Sequence, residues 1–106
     1  MRIKLKRLGI DKRYVFTAVF ARFGFMQSYK GYPLRTVLLR EICLDGQIIT
    51  DHLWFTCGKR LASMHLAPGE KIVFEARVAI YYKYDIVTKE KEIDYKLAYP
   101  TKIKKI

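Results

Sequence analysis

From Lys71 to Tyr82 every second residue is apolar: Ile72, Phe74, Ala76, Val78 and Ile80 share one side, and Val73, Glu75, Arg77, Ala79 and Tyr81 share the other. A slip of one residue would drive Glu75 and Arg77 into the interior, so the register of this strand is tightly specified. A chain holding such a segment has to build a sheet with one buried face. Four more segments support that reading. Tyr14–Phe25 (YVFTAVFARFGF) is rich in β-branched and aromatic residues, with Phe16, Ala18 and Phe20 on one face and Val15, Thr17, Val19 and Ala21 on the other. Gly24 allows it to bend. Leu34–Leu44 follows, with Val37 and Leu39 on one side and Arg40 on the other. Asp45-Gly46 supplies the positive φ of a tight hairpin. Gln47–Cys57 then places Ile49, Asp51, Leu53, Phe55 and Cys57 inward and Ile48, Thr50, His52, Trp54 and Thr56 outward. The register decides whether Trp54 is core or exposed, and both readings stay open. In Glu92–Ile103, Ile93, Tyr95, Leu97 and Tyr99 alternate with Asp94, Lys96 and Ala98.

Between the third and fourth strands the period of two disappears. In Gly58–Leu66, Leu61, Met64 and His65 recur at helical spacing. Ala67-Pro68-Gly69-Glu70 is a turn with Pro second and Gly third. The loops fall at Gln27–Pro33 and Tyr82–Lys91. Residues 1–13 read as a basic N-terminal arm, and residues 14–104 as the barrel of a single domain spanning 1–106.

The formal net charge is +11, and residues 1–40 hold ten basic groups against one acid, Asp11. Such a balance favours polyanionic partners. With 51% hydrophobic residues the chain has material for a real core rather than a disordered tail. The two cysteines, Cys43 and Cys57, have no metal-ligand spacing. Both read as packed free thiols in a reducing setting, with one Cys43–Cys57 disulfide as the alternative. Charge interrupts the first eight residues, so no secretory signal is expected, and the localisation expected is cytoplasmic, away from membranes.

Strand, strand, strand, short helix, strand, strand is an order that resembles the OB (oligonucleotide/oligosaccharide-binding) superfamily. The resemblance is one of pattern over residues 14–104, and in size and character the chain is similar to small basic members carried by phages and plasmids. It implies a mainly β domain: a five-stranded OB-like barrel with one short helix between strands three and four. An SH3-like barrel is the alternative.

The resemblance implies binding through the outer face of strands two and three and the loops after strands one and four. Tyr29, Lys30 and Tyr32 lie in the first loop, and Tyr82, Lys83 and Tyr84 in the second, beside Tyr81. Arg35 and Arg40 flank the inner face of strand two. Tyrosines offer stacking surfaces for bases and lysines neutralise phosphate. Trp54 beside arginine suits the same chemistry. The expectation is a non-catalytic, sequence-tolerant binder of single-stranded DNA or RNA. The alternative is a protein-interaction module, an accessory or inhibitor protein docking on an acidic partner. No cofactor or metal is expected. The six glycines are scattered rather than gathered in a phosphate loop. Asp51 and His52 are neighbours on a strand and are expected on opposite faces, which would preclude a relay.

Overall fold

In the computed structural model, which describes residues 2–27 and 31–106, the order of elements is α1 (Ile3–Leu8), β1 (Arg13–Gln27), β2 (Pro33–Leu44), β3 (Gln47–Thr56), α2 (Lys59–Ser63), β4 (Lys71–Tyr84) and β5 (Lys91–Lys105). The strands form one antiparallel sheet in the order β3-β2-β1-β4-β5. Its two edges, β3 and β5, come into contact but share no hydrogen-bonded ladder. The short helix expected between the third and fourth strands is present as α2. No described helix is long and apolar enough to cross a membrane.

β1 serves two partners. Its first half pairs with β4, from Arg13 opposite Arg77 to Val19 opposite Lys71. Its second half pairs with β2, ending with Gln27 opposite Pro33. Phe16 lies directly across from Phe74, with ring centroids 5.9 Å apart. Phe16, Phe20, Phe74, Val37, Leu39, Leu53, Ile72 and Val78 are all buried. Each large apolar side chain removed from water contributes about 2 kcal/mol. Leu61, Met64 and Leu66 enter the same core from α2 and the segment after it.

The turns follow their residues. Asp45 and Gly46 both have positive φ, 51° and 80°, closing the β2–β3 hairpin as expected. In the Pro68-Gly69 turn the Glu70 amide donates to the Ala67 carbonyl at 3.1 Å. Gly69 donates to Phe20 O and Phe20 donates back to Glu70 O, so the turn extends the β1–β4 ladder.

Several expectations are corrected. Among the described residues the arm expected over 1–13 is not seen: Ile3–Leu8 is a helix, and Leu5 is fully buried in the core. Tyr82, Lys83 and Tyr84 belong to β4 rather than to a loop, because β4 and β5 keep pairing out to Tyr84 opposite Lys91. Ile80, expected inside, is exposed, and in β5 the expected alternation breaks, with Asp94 buried while Ile93 and Tyr99 are exposed. Thr50 is buried while Asp51 is exposed, the reverse of simple alternation.

Bulges and bends are the common cause. Ala21 is an extra residue between Phe20, opposite Leu39, and Arg22, opposite Leu38. Glu41 has φ 50°. There two consecutive residues point outward on each strand, Arg40 and Glu41 on β2 and Asp51 and His52 on β3. In β5 Tyr99 and Lys102 each have φ 54°, and each accompanies a one-residue shift against β4. Arg13 fastens this stretch, donating to Glu75 O, Tyr99 O and Thr101 Oγ1 at 2.6–2.9 Å.

Candidate nucleic-acid interface

The bulge at Ala21 decides what the outer face carries. Beyond it the even residues of β1 turn outward, so Arg22 and Gly24 join Leu38 and Thr36 of β2 and Trp54 and Thr56 of β3 in two cross-strand rows. Trp54 is 42% exposed. Its ring lies over Gly24, where a Cβ would come within 2.9 Å of Trp54 Cζ3. Glycine is needed at this point for close approach, not for an unusual backbone angle. The Arg22 guanidinium stands 4.9 Å from the centroid of the Trp54 ring. An arginine over an exposed indole is a cation–π pair, leaving guanidinium donors for another ligand.

On one side of Trp54 a cleft of about 800 Å³ opens between the β3 and β5 edges. Leu53, Phe55 and Thr56 form its β3 wall, and Lys96, Tyr99 and Pro100 its β5 wall. Met26, Tyr81 and Arg2 also line it. The Lys96 ammonium is 5.7 Å from the Tyr81 ring centroid. On the other side of Trp54 is a shallower hollow of about 520 Å³, with Arg22, Arg40 and His52 in its wall.

Behind the cleft sits a carboxylate cluster that consumes cations. Asp94 is 3% exposed. Lys83 Nζ lies 2.6 Å from Asp94 Oδ2. The Arg2 and Tyr95 amides donate to Oδ1 at 2.9 and 2.8 Å. The Tyr81 hydroxyl donates to Oδ2 at 3.4 Å and accepts from Arg2 Nη1 at 2.9 Å. Burial alone would raise the Asp94 carboxyl, but Lys83 and the two amides hold it far below the usual carboxylate range. The same hydrogen bond to Asp94 raises the Lys83 ammonium above its ordinary value.

The expected site residues therefore divide. Trp54 and Arg40 share the outer face. Arg35 does not join them: with the bulge counted, it falls on the side of Phe23, and its guanidinium covers that ring at 4.1 Å. Lys83 is held by Asp94. Tyr82 and Tyr84 are exposed on β4 and line neither hollow. Tyr32 is exposed just before β2. Tyr29 and Lys30 lie outside the described residues. Residue reading missed Arg22, Arg2, Lys96 and Tyr99. The signal for Arg22 was its place two residues from Gly24, readable only once the bulge is known.

Asp51 and His52, expected apart, touch: His52 Nδ1 is 3.2 Å from Asp51 Oδ1. The bend at Glu41 puts both on the outer side. The two cysteines are free thiols. Burial pushes the Cys57 thiol up although Arg35 pulls it down, which disfavours the reactive thiolate.

No protein-family model matches this chain, and no curated protein or solved structure is detectably similar to it.

Proposed function

We propose that this protein is a non-catalytic, sequence-tolerant binder of single-stranded DNA or RNA, built on an OB-like scaffold. Trp54 stacks a base, and the cations around it neutralise phosphate. One observation carries the reading: the only tryptophan of the chain stands on an outward β-face, nearly half exposed, with an arginine against its ring and a cleft beside it. A buried tryptophan would have been core, and an exposed one without cations nearby would suit many partners. The strand order supports the scaffold assignment, since β3 and β5, the two edges, are the strands that meet. The net charge of +11 supports a polyanionic ligand.

Because Trp54 has no competing indole, its emission reports stacking directly. Titration with oligo(dT) at low salt is expected to quench it, with Kd tighter than about 100 μM. The slope of log K against log salt should be about −0.7 for each phosphate neutralised. Binding weaker than that limit at low salt rejects the proposal. Anisotropy of a labelled strand gives the same answer for variants without the indole.

The second reading, an accessory or inhibitor protein docking on an acidic partner, draws on the unpaired edges of β3 and β5, which suit strand addition from another chain. Partners that survive nuclease treatment of a pull-down favour it. Loss of all partners favours nucleic acid.

A further inference from the structure

The outer face continues past Trp54. His52 lies two residues back along β3, about 6.8 Å away by strand rise. There the second hollow, about 520 Å³, is lined by Ala21, Arg22, Leu38, Arg40, Asp51 and His52. Arg22 belongs to both places, since its guanidinium covers the Trp54 ring and also walls this hollow. Arg40 is the register partner of His52. Arg40 is exposed, and no hydrogen bond or ion pair engages its side chain among the described residues.

Four charged or titratable groups line the hollow, and a fifth, Glu41, sits outward at its β2 margin. Arg22 comes from β1, Arg40 from β2, and Asp51 and His52 from β3. Asp51 is the one acid in the lining, and its carboxylate is spent on His52 Nδ1 at 3.2 Å. That contact orients the imidazole and leaves Nε2 for a ligand. Leu38, between Arg22 and Trp54 in the cross-strand row, gives the hollow an apolar wall.

We infer that this hollow is a phosphodiester site, in which Arg22 and Arg40 hold the phosphate adjoining the base stacked on Trp54 and His52 Nε2 faces the same anion. The inference rests on the nucleic-acid reading of the same face and specifies how the backbone is held. Two guanidiniums supply planar forks of donors, which match phosphate oxygens better than ammonium groups do. Against the one carboxylate of the lining, Asp51, stand two guanidinium cations, with Glu41 at the margin.

The probe is sulfate, a tetrahedral anion with the oxygen geometry of a phosphate. Isotope-labelled protein is titrated with sodium sulfate at constant ionic strength. The Nε–H signals of Arg22 and Arg40 are expected to shift saturably. Arg40→Gln, an exposed substitution whose amide spectrum shows whether the fold is kept, should weaken sulfate at least fivefold. An unmoved Arg40 signal or unchanged affinity in Arg40→Gln overturns the site. Oligo(dT) quenching of Trp54 is followed in parallel. Quenching without sulfate binding removes this phosphate site and leaves base stacking standing. Sulfate binding without quenching makes the hollow an anion site for another ligand, and the phosphodiester assignment falls with the nucleic-acid reading.

Discussion

The β4–β5 hairpin and the outer face of β1–β2–β3 carry similar chemistry in opposite states. Three cations of the hairpin already have anions: Lys83 meets Asp94 at 2.6 Å, Lys102 meets Glu75 at 2.9 Å and Lys105 pairs with Glu70 from the turn before β4 at 3.1 Å. On the outer face Arg22 rests on an indole, and Arg40 forms no ion pair among the described residues, although Asp51 lines the same hollow. Counting lysines and tyrosines makes Tyr82-Lys83-Tyr84 look like a site. What distinguishes a ligand surface is a cation whose counterion the chain has not itself supplied.

The sharpest way to break this contrast is to remove the anion from the hairpin. Asp94→Asn should cost about 2 kcal/mol of stability, because it leaves Lys83 and Arg2 facing a neutral amide in a nearly closed site. Urea unfolding at neutral pH measures it. The pH dependence has a definite sign. The folded carboxyl is held well below its ordinary value of 3.8, so its stabilisation is complete above that value and fades as pH falls toward the folded one. The gap between parent and Asp94→Asn should therefore be constant from neutrality to about pH 5 and narrow below about pH 4. A gap that widens on acidification would mean that Asp94 is not the ionised centre of this cluster.

The next effect is on binding. Trp54→Ala should weaken oligo(dT) by about tenfold, the value of one stacked base toward the lower end of the known range. Lys83→Gln should leave affinity within about twofold, since that charge is already paired. Anisotropy at fixed low salt compares them. If Lys83→Gln weakens binding as much as Trp54→Ala does, the hairpin is part of the interface and the contrast collapses.

Much of this was legible in the residues and some was hidden for definite reasons. The cleanly alternating β4 segment, the Asp45-Gly46 hairpin, the Pro68-Gly69 turn and the helix before it were all readable, because each is a local preference acting on contiguous residues. Bulges are not local in that sense. The extra residue at Ala21 reverses the faces of all that follows in β1, which brings Arg22 beside Trp54 and turns Phe23 to the side of Arg35. The doubled outward pairs near Glu41 bring Asp51 and His52 together for the same reason. Helix α1 escaped because its only fully buried residue is Leu5, set among cations that read as a solvated run. Asp94 escaped because its partners, Arg2 and Lys83, are distant in sequence.

The smallest expected effect bears on how Trp54 is held. Gly24 leaves room for the ring: an added Cβ would sit 2.9 Å from Trp54 Cζ3, 3.1 Å from Cη2 and 3.1 Å from Thr36 Oγ1. Two of these atoms are at the far end of an exposed side chain, and the buried Thr36 hydroxyl has to give by only a few tenths of an ångström. Gly24→Ala should therefore change stability by less than about 1 kcal/mol. The indole has to swing outward instead, away from Arg22, and its emission should shift to the red. If the ring's seat on Gly24 presents it to bases, oligo(dT) affinity falls by a small factor, about twofold to threefold, although no contacting group has been removed. A red shift with unchanged affinity would show that stacking tolerates a displaced ring. An unshifted emission would mean that the ring does not rest on Gly24, and Arg22 alone would then hold the indole in place.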